Sequence, residues 1–271
     1  ASETNGNSYP LNNHVNKVYS DYEAQYDVTS LISSASPVVN VKSEAISGKT
    51  FDGKIKGVTL VVAYNDVDTD TVNYWVNEGH DYQTSTDSAV TSTFATSGLP
   101  SGWTSATLTN VMLSSKDASY TLNSNPYTGA NPVAPIATFG KNVWDVKSAL
   151  TADSNSNFVY THFAGSSYKT TLATLTAKYT SPTAAFTATP TTIDAGQSVA
   201  FDASTSTGSI TSYAWNFGDT QTGSGKTTSH TYTAKGIYTA TLTVTGPLGT
   251  DTKTATITVK EPAPVIDFTP V

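Results

Sequence analysis

The chain has 271 residues, and that length accommodates two domains, each with its own core. It has no cysteine, which removes disulfide frameworks, thiolate metal sites and thiol catalysis together. Its basic residues are all Lys against a net charge of -7, which argues against nucleic acid or an anionic membrane as a partner.

Only 13% of the residues are charged while Ser and Thr make up about 30%, so solubility rests on hydroxyls. Thr is β-branched and suits the wet face of a pleated strand. No apolar run reaches the roughly 18 residues of a membrane span, so membrane insertion is not expected. Ala1 follows no initiator Met, and a mature chain released by signal cleavage, extracellular or cell-surface, is the expectation. There is no N-x-S/T acceptor, so conventional N-glycans are not expected either.

From the N-terminus, the first region repeats itself without gaps at an offset of 118. Asn5 falls on Asn123, Tyr9 on Tyr127, Asn13 on Asn131, Val15 on Val133, and Tyr26-Asp27-Val28 on Trp144-Asp145-Val146. This predicts two related β-sandwich units. In each, the D-V-x-S segment begins a short connection whose Asp, Asp27 or Asp145, caps the turn through backbone amides. A paired-carboxylate catalytic role for these two is the weaker reading, because neither has a base-like neighbour in sequence.

Asp66, Asp68 and Asp70 alternate as calcium ligands do, but the EF-hand pattern fails at Thr71 and Asn77. A surface calcium site is the only cofactor expectation here, and a solvated acidic turn the plainer one. Tyr74, Trp75 and, further on, Trp103 are candidates for stacking on sugar rings, with surface glycans as the partner. In a sandwich most such rings are core. Glu78-Gly79-His80-Asp81 is the best local acid-base group, and it fits a strand end or turn equally well. The four His are scattered without metal-ligand spacing. Strand-like runs follow at Ser105 to Met112 and Ala118 to Leu122, ahead of the second copy of the repeat. Together with Val61-Val62-Ala63-Tyr64, Tyr74 to Gly79 and Gly98-Leu99-Pro100-Ser101-Gly102, the region resembles an uncharacterised domain of large surface proteins, chiefly of methanogenic archaea. That resemblance implies an archaeal surface location and no known activity.

A Pro-containing polar segment, Tyr179 to Thr183, ends this region. Beyond it, Tyr213-Ala214-Trp215-Asn216-Phe217-Gly218-Asp219, His230-Thr231-Tyr232 and Lys235-Gly236-Ile237-Tyr238 resemble a PKD domain over about residues 181 to 260. Trp215 and Phe217 are expected on one buried face, Gly218 in the turn, and Asp219 bonding turn amides, all as fold residues rather than chemistry. Some relatives hold calcium with acidic residues before the Trp strand, but Ser204 to Ser209 offers none. Next, Ala240, Leu242 and Val244 alternate with threonines, and so do Ala255, Ile257 and Val259, across a turn at Gly246-Pro247-Leu248-Gly249.

The fold expectation is therefore all-β: a duplicated β-sandwich over 1 to 180, an immunoglobulin-like PKD sandwich over 181 to 260, and a tail over 261 to 271. In the tail, Val265, Ile266, Asp267, Phe268 and Thr269 form a strand without a sheet. Two readings of the tail stand: it pairs with another copy head-to-tail as a donor strand, or it begins a further PKD repeat. The functional expectation is a non-enzymatic surface protein that assembles with copies of itself into a filament, sheath or layer. Its rivals are a carbohydrate-binding adhesin and an accessory part of a secreted hydrolase.

Overall fold

The computed structural model describes residues 11–18, 21–26, 59, 61, 69–83, 89–112, 118–128, 140–162 and 168–262. Every regular element among them is a strand. The chain divides into two compact units, one of residues 1–67, 74–99 and 106–176, the other of 68–73, 100–105 and 177–271.

Near the N-terminus β1 (Leu11–Val18) and β2 (Asp21–Tyr26) form an antiparallel hairpin. Moved by the repeat offset of 118, β2 coincides within one residue with β8 (Gly140–Asp145). The first copy's remaining repeat positions lie outside the described residues or in β1, where only the backbone is described.

Two four-stranded sheets follow. One has the order β3-β10-β5-β8, where β3 is Thr71–Gln83, β10 Tyr168–Tyr179 and β5 Ser105–Met112. The other has the order β4-β9-β6-β7, where β4 is Val90–Phe94, β9 Ser156–His162, β6 Ala118–Leu122 and β7 Asn125–Tyr127. Alternation dictates the facing. In β5, Ala106, Leu108 and Met112 are buried at period two, and in β6 so are Ala118, Tyr120 and Leu122. The inner faces meet where Tyr120 of one sheet lies 5.0 Å from Trp144 of the other, and Trp144 lies 6.0 Å from Phe158. Glu78 to Asp81, which the sequence leaves open as a strand end or turn, lies inside β3, because the strand runs on to Gln83.

The C-terminal sandwich packs a three-stranded sheet, β11-β13-β16, against a five-stranded one, β12-β18-β17-β14-β15. The small sheet is β11 (Thr187–Thr189), β13 (Ser198–Asp202) and β16 (Thr227–Thr231). The large one is β12 (Thr192–Asp194), β14 (Ser212–Asn216), β15 (Thr222–Ser224), β17 (Gly236–Gly246) and β18 (Gly249–Lys260). Phe201 of the small sheet sits 5.4 Å from Trp215 and 5.3 Å from Phe217, and Ala240, Leu242, Val244, Ile257 and Val259 complete the core.

The turn that joins β17 to β18 pairs Gly246 with Gly249. Gly246 is required by close approach, since a Cβ there would stand 1.7 Å from the Ser209 carbonyl oxygen. This turn sets a register in which Thr239 faces Thr256, Thr241 faces Thr254, Thr243 faces Thr252 and Thr245 faces Thr250. With the intervening apolar residues turned to the core, all four pairs lie on the outer face.

Candidate functional site

Several candidate residues lie outside the described set: Asp27, Asp66, Asp68 and the tail residues Val265, Ile266, Asp267, Phe268 and Thr269. Asp70 is described and forms an ion pair with Lys178. Among the described residues no three His, Asp or Glu side chains cluster as metal ligands would.

Tyr74 and Trp75 are neighbours in β3 and so point to opposite faces of the sheet. Trp75 turns across the sandwich edge, its Nε1 donating to the Ala95 carbonyl at 2.9 Å. Two residues on, Asn77 Nδ2 donates to the Thr93 carbonyl at 2.9 Å and to Ser92 Oγ at 2.8 Å. Tyr74 faces outward with Val72, 57% and 48% exposed. Trp103 is half-buried between β4 and β5. One sugar-binding platform is therefore not assembled from these three rings, and Tyr74 alone presents an open ring face.

Asp145 Oδ1 accepts the Lys147 N–H at 2.9 Å, closing the turn after β8. The sandwich interior also carries polar groups that alternation alone does not single out. Asn110 and Asn142 stand directly opposite each other on β5 and β8, and both are buried. Neither Asn142 amide atom nor Thr170 Oγ1 has a hydrogen-bond partner. At the other end, Asn123 holds φ at 49° and acts as a hub. Its Oδ1 accepts the Asn157 N–H at 2.9 Å, and its Nδ2 donates to the Ala149 carbonyl, also at 2.9 Å.

In the C-terminal sandwich, Trp215 is buried and its Nε1 donates to the Gly225 carbonyl at 2.9 Å. Gly218 has φ of +85°, and a Cβ on it would lie 2.7 Å from the Thr239 carbonyl oxygen, so only Gly serves. Asp219 divides its carboxylate. Oδ1 accepts the Gln221 N–H at 3.2 Å, and Oδ2 meets His230 Nε2 at 2.7 Å. The His230 ring stacks flat on Phe217 at 4.1 Å and meets Tyr232 edge-on at 4.6 Å. Tyr232 donates to the Phe217 carbonyl at 3.0 Å. Burial, then the Asp219 charge, then Tyr238 push the Tyr232 phenol up to about 12. The sequence names Asp219 as a turn residue but not its His230 partner, which the sheet topology supplies.

These geometries frame the comparisons with known proteins. Residues 2–178 match the family described as "Protein of unknown function (DUF3344)", and residues 179–260 match the PKD domain. No curated protein matches. Among solved structures, the PKD1 domain of Vibrio anguillarum Epp is 36% identical over 31% of this chain and 99% of its own, with a TM-score of 0.27. The PKD1 domain of the Vibrio cholerae metalloprotease PrtV is 36% identical over 30% of this chain and 98% of its own, at 0.25. A structure titled for carbohydrate-binding modules of the β-sandwich superfamily is 35% identical over 30% of this chain, at 0.29. The match spans about a third of the length of that protein, 35%.

Proposed function

Because the chain belongs to the family described as "Protein of unknown function (DUF3344)" and carries a PKD domain over residues 179–260, we propose that it is an extracellular structural protein of a cell surface that assembles with copies of itself. PKD domains are typical of extracellular or secreted proteins. Their residues here serve packing: Trp215, Phe217 and Tyr232 are core, and Asp219 is taken up by a turn amide and His230.

The observation that carries the reading is β3. It is 13 residues long and, among the described residues, pairs on one side only, with β10. A long sheet edge is a template for another chain, and an added strand satisfies its backbone groups while alternate side chains seat in pockets. The C-terminal segment supplies such a strand, with Val265, Ile266, Asp267, Phe268 and Thr269 docking on another copy head-to-tail. A heterologous contact of this kind does not close on itself and propagates as a filament or layer.

Deleting residues 262–271 tests the mechanism. Electron microscopy and light scattering should then show loss of polymers, while polymers unchanged by the deletion would overturn it. The exposed Tyr74 ring favours a second reading, a carbohydrate-binding adhesin, in which Tyr74→Ala abolishes glycan-array signals and leaves assembly intact.

A further inference from the structure

The outer face of the five-stranded sheet is a hydroxyl surface, with Asp194 and Lys260 facing each other as an opposite-charge pair at one edge. The four registered threonine pairs of β17 and β18 form its centre. On one side the rows continue into β14, where Ser212 faces Thr245, Ala214 faces Thr243 and Asn216 faces Thr241. On the other, Thr192 of β12 faces Thr258. Asp251 belongs to the opposite side, its Oδ2 accepting the Ala184 N–H at 2.8 Å. From Thr250 to Thr258 this face carries no ionisable side chain, on a protein whose net charge is -7.

We propose that this face is a lateral contact with a second copy of the chain, the two sheets meeting about a twofold axis. Three arguments select that occupant. A threonine hydroxyl both donates and accepts, so an array of them complements its own image, as an isologous contact requires. Like-charged copies repel over the rest of their surface, and this face, whose one charge pair is of opposite sign, is where they approach at least cost. The size fits as well. Five strands about 4.8 Å apart, from three to twelve residues long at about 3.4 Å per residue, give a face of roughly 550 Å², so two copies bury about 1,100 Å², the size of a weak, reversible contact. The threonine methyl groups supply the apolar area that contact removes from water.

The inference rests on the reading that the protein assembles with itself, but through a surface separate from the C-terminal segment. Its test is sedimentation velocity of the full chain against concentration. The wild-type protein should associate reversibly, and no less at high salt than at low, because salt screens the repulsion between copies of net charge -7. Thr254→Lys places a charge in the centre of the face and should remove the lateral association, leaving only what the C-terminal segment makes, with an unchanged melting temperature. Thr241→Lys, made separately, repeats the test from the facing strand should the first variant fold poorly. A wild-type chain that remains monomeric up to about 1 mM, or either folded variant associating like wild type, would overturn the proposal. So would binding of a soluble glycan that Thr254→Lys abolishes while the chain stays monomeric.

The chain lacking residues 262–271 separates this contact from the donor strand. If it still forms dimers that Thr254→Lys dissolves, the lateral contact stands whether or not polymers form. If truncation alone removes all association and Thr254→Lys in the full chain changes nothing, the face is not an interface.

Discussion

At Tyr232 a single phenol links the two sheets of the C-terminal sandwich, since it is buried and donates to the Phe217 carbonyl. Its folded-state pKa, raised from 10.0 to about 12, favours the neutral form in the fold. The stability it contributes is complete below the unfolded value near 10 and is lost as pH rises from there toward about 12. Alkaline unfolding of the wild-type domain, followed by circular dichroism, should therefore steepen in that window. In Tyr232→Phe, which keeps the packing, the loss should be shallower, and identical profiles would remove the phenol from the account. Asn142 makes the opposite case, being 2% exposed with both amide atoms unpartnered. An isosteric apolar side chain removes that desolvation penalty, of order 1–3 kcal/mol, so Asn142→Leu should raise the urea midpoint of the sandwich. A lowered midpoint would mean that a bound water or ligand meets the amide.

Among the elements, β3 is tied across the sandwich edge to β4 and Ala95 by two side chains, Trp75 and Asn77. Trp75→Ala should speed amide hydrogen exchange in residues 71–77 and 90–94 and leave β17 and β18 unchanged, as local opening does in a strand with few tertiary bonds. The C-terminal sandwich was legible in the sequence because its signals are local. Strict alternation from Thr239 to Thr245, a turn at Gly246 and Gly249, and the run from Tyr213 to Asp219 each state a face or a bend. The N-terminal sandwich was not legible in the same way. Its strands pair at long range, β4 with β9 and β5 with β8, and no single stretch of sequence encodes such a register. For the same reason Asn110 and Asn142 looked unrelated at a separation of 32 positions, although they face each other in the sheet. Glu78 to Asp81 fits a strand end or a turn in sequence because Gly79 is a weak strand former, and the surrounding β3 carries it on to Gln83.

At the scale of the molecule, residues 184–259 hold a core drawn entirely from their own segment. A fragment of residues 179–260 should unfold cooperatively by itself, and its melting temperature should not respond to reductant, since the chain has no cysteine. A non-cooperative melt would show that this core is insufficient alone. The strand order has a mechanical consequence. The short β12, near the start of the domain, runs parallel to β18 at its end, with Thr192 beside Thr258, Ile193 beside Val259 and Asp194 beside Lys260. At the two ends of β12, Thr258 N–H reaches the Thr191 carbonyl and Ala195 N–H the Lys260 carbonyl. Tension along the chain would draw these two strands past each other lengthwise, loading the bonds between them simultaneously in shear rather than one after another as in an unzipping hairpin. A lengthwise load on the domain is thereby shared among several bonds at once.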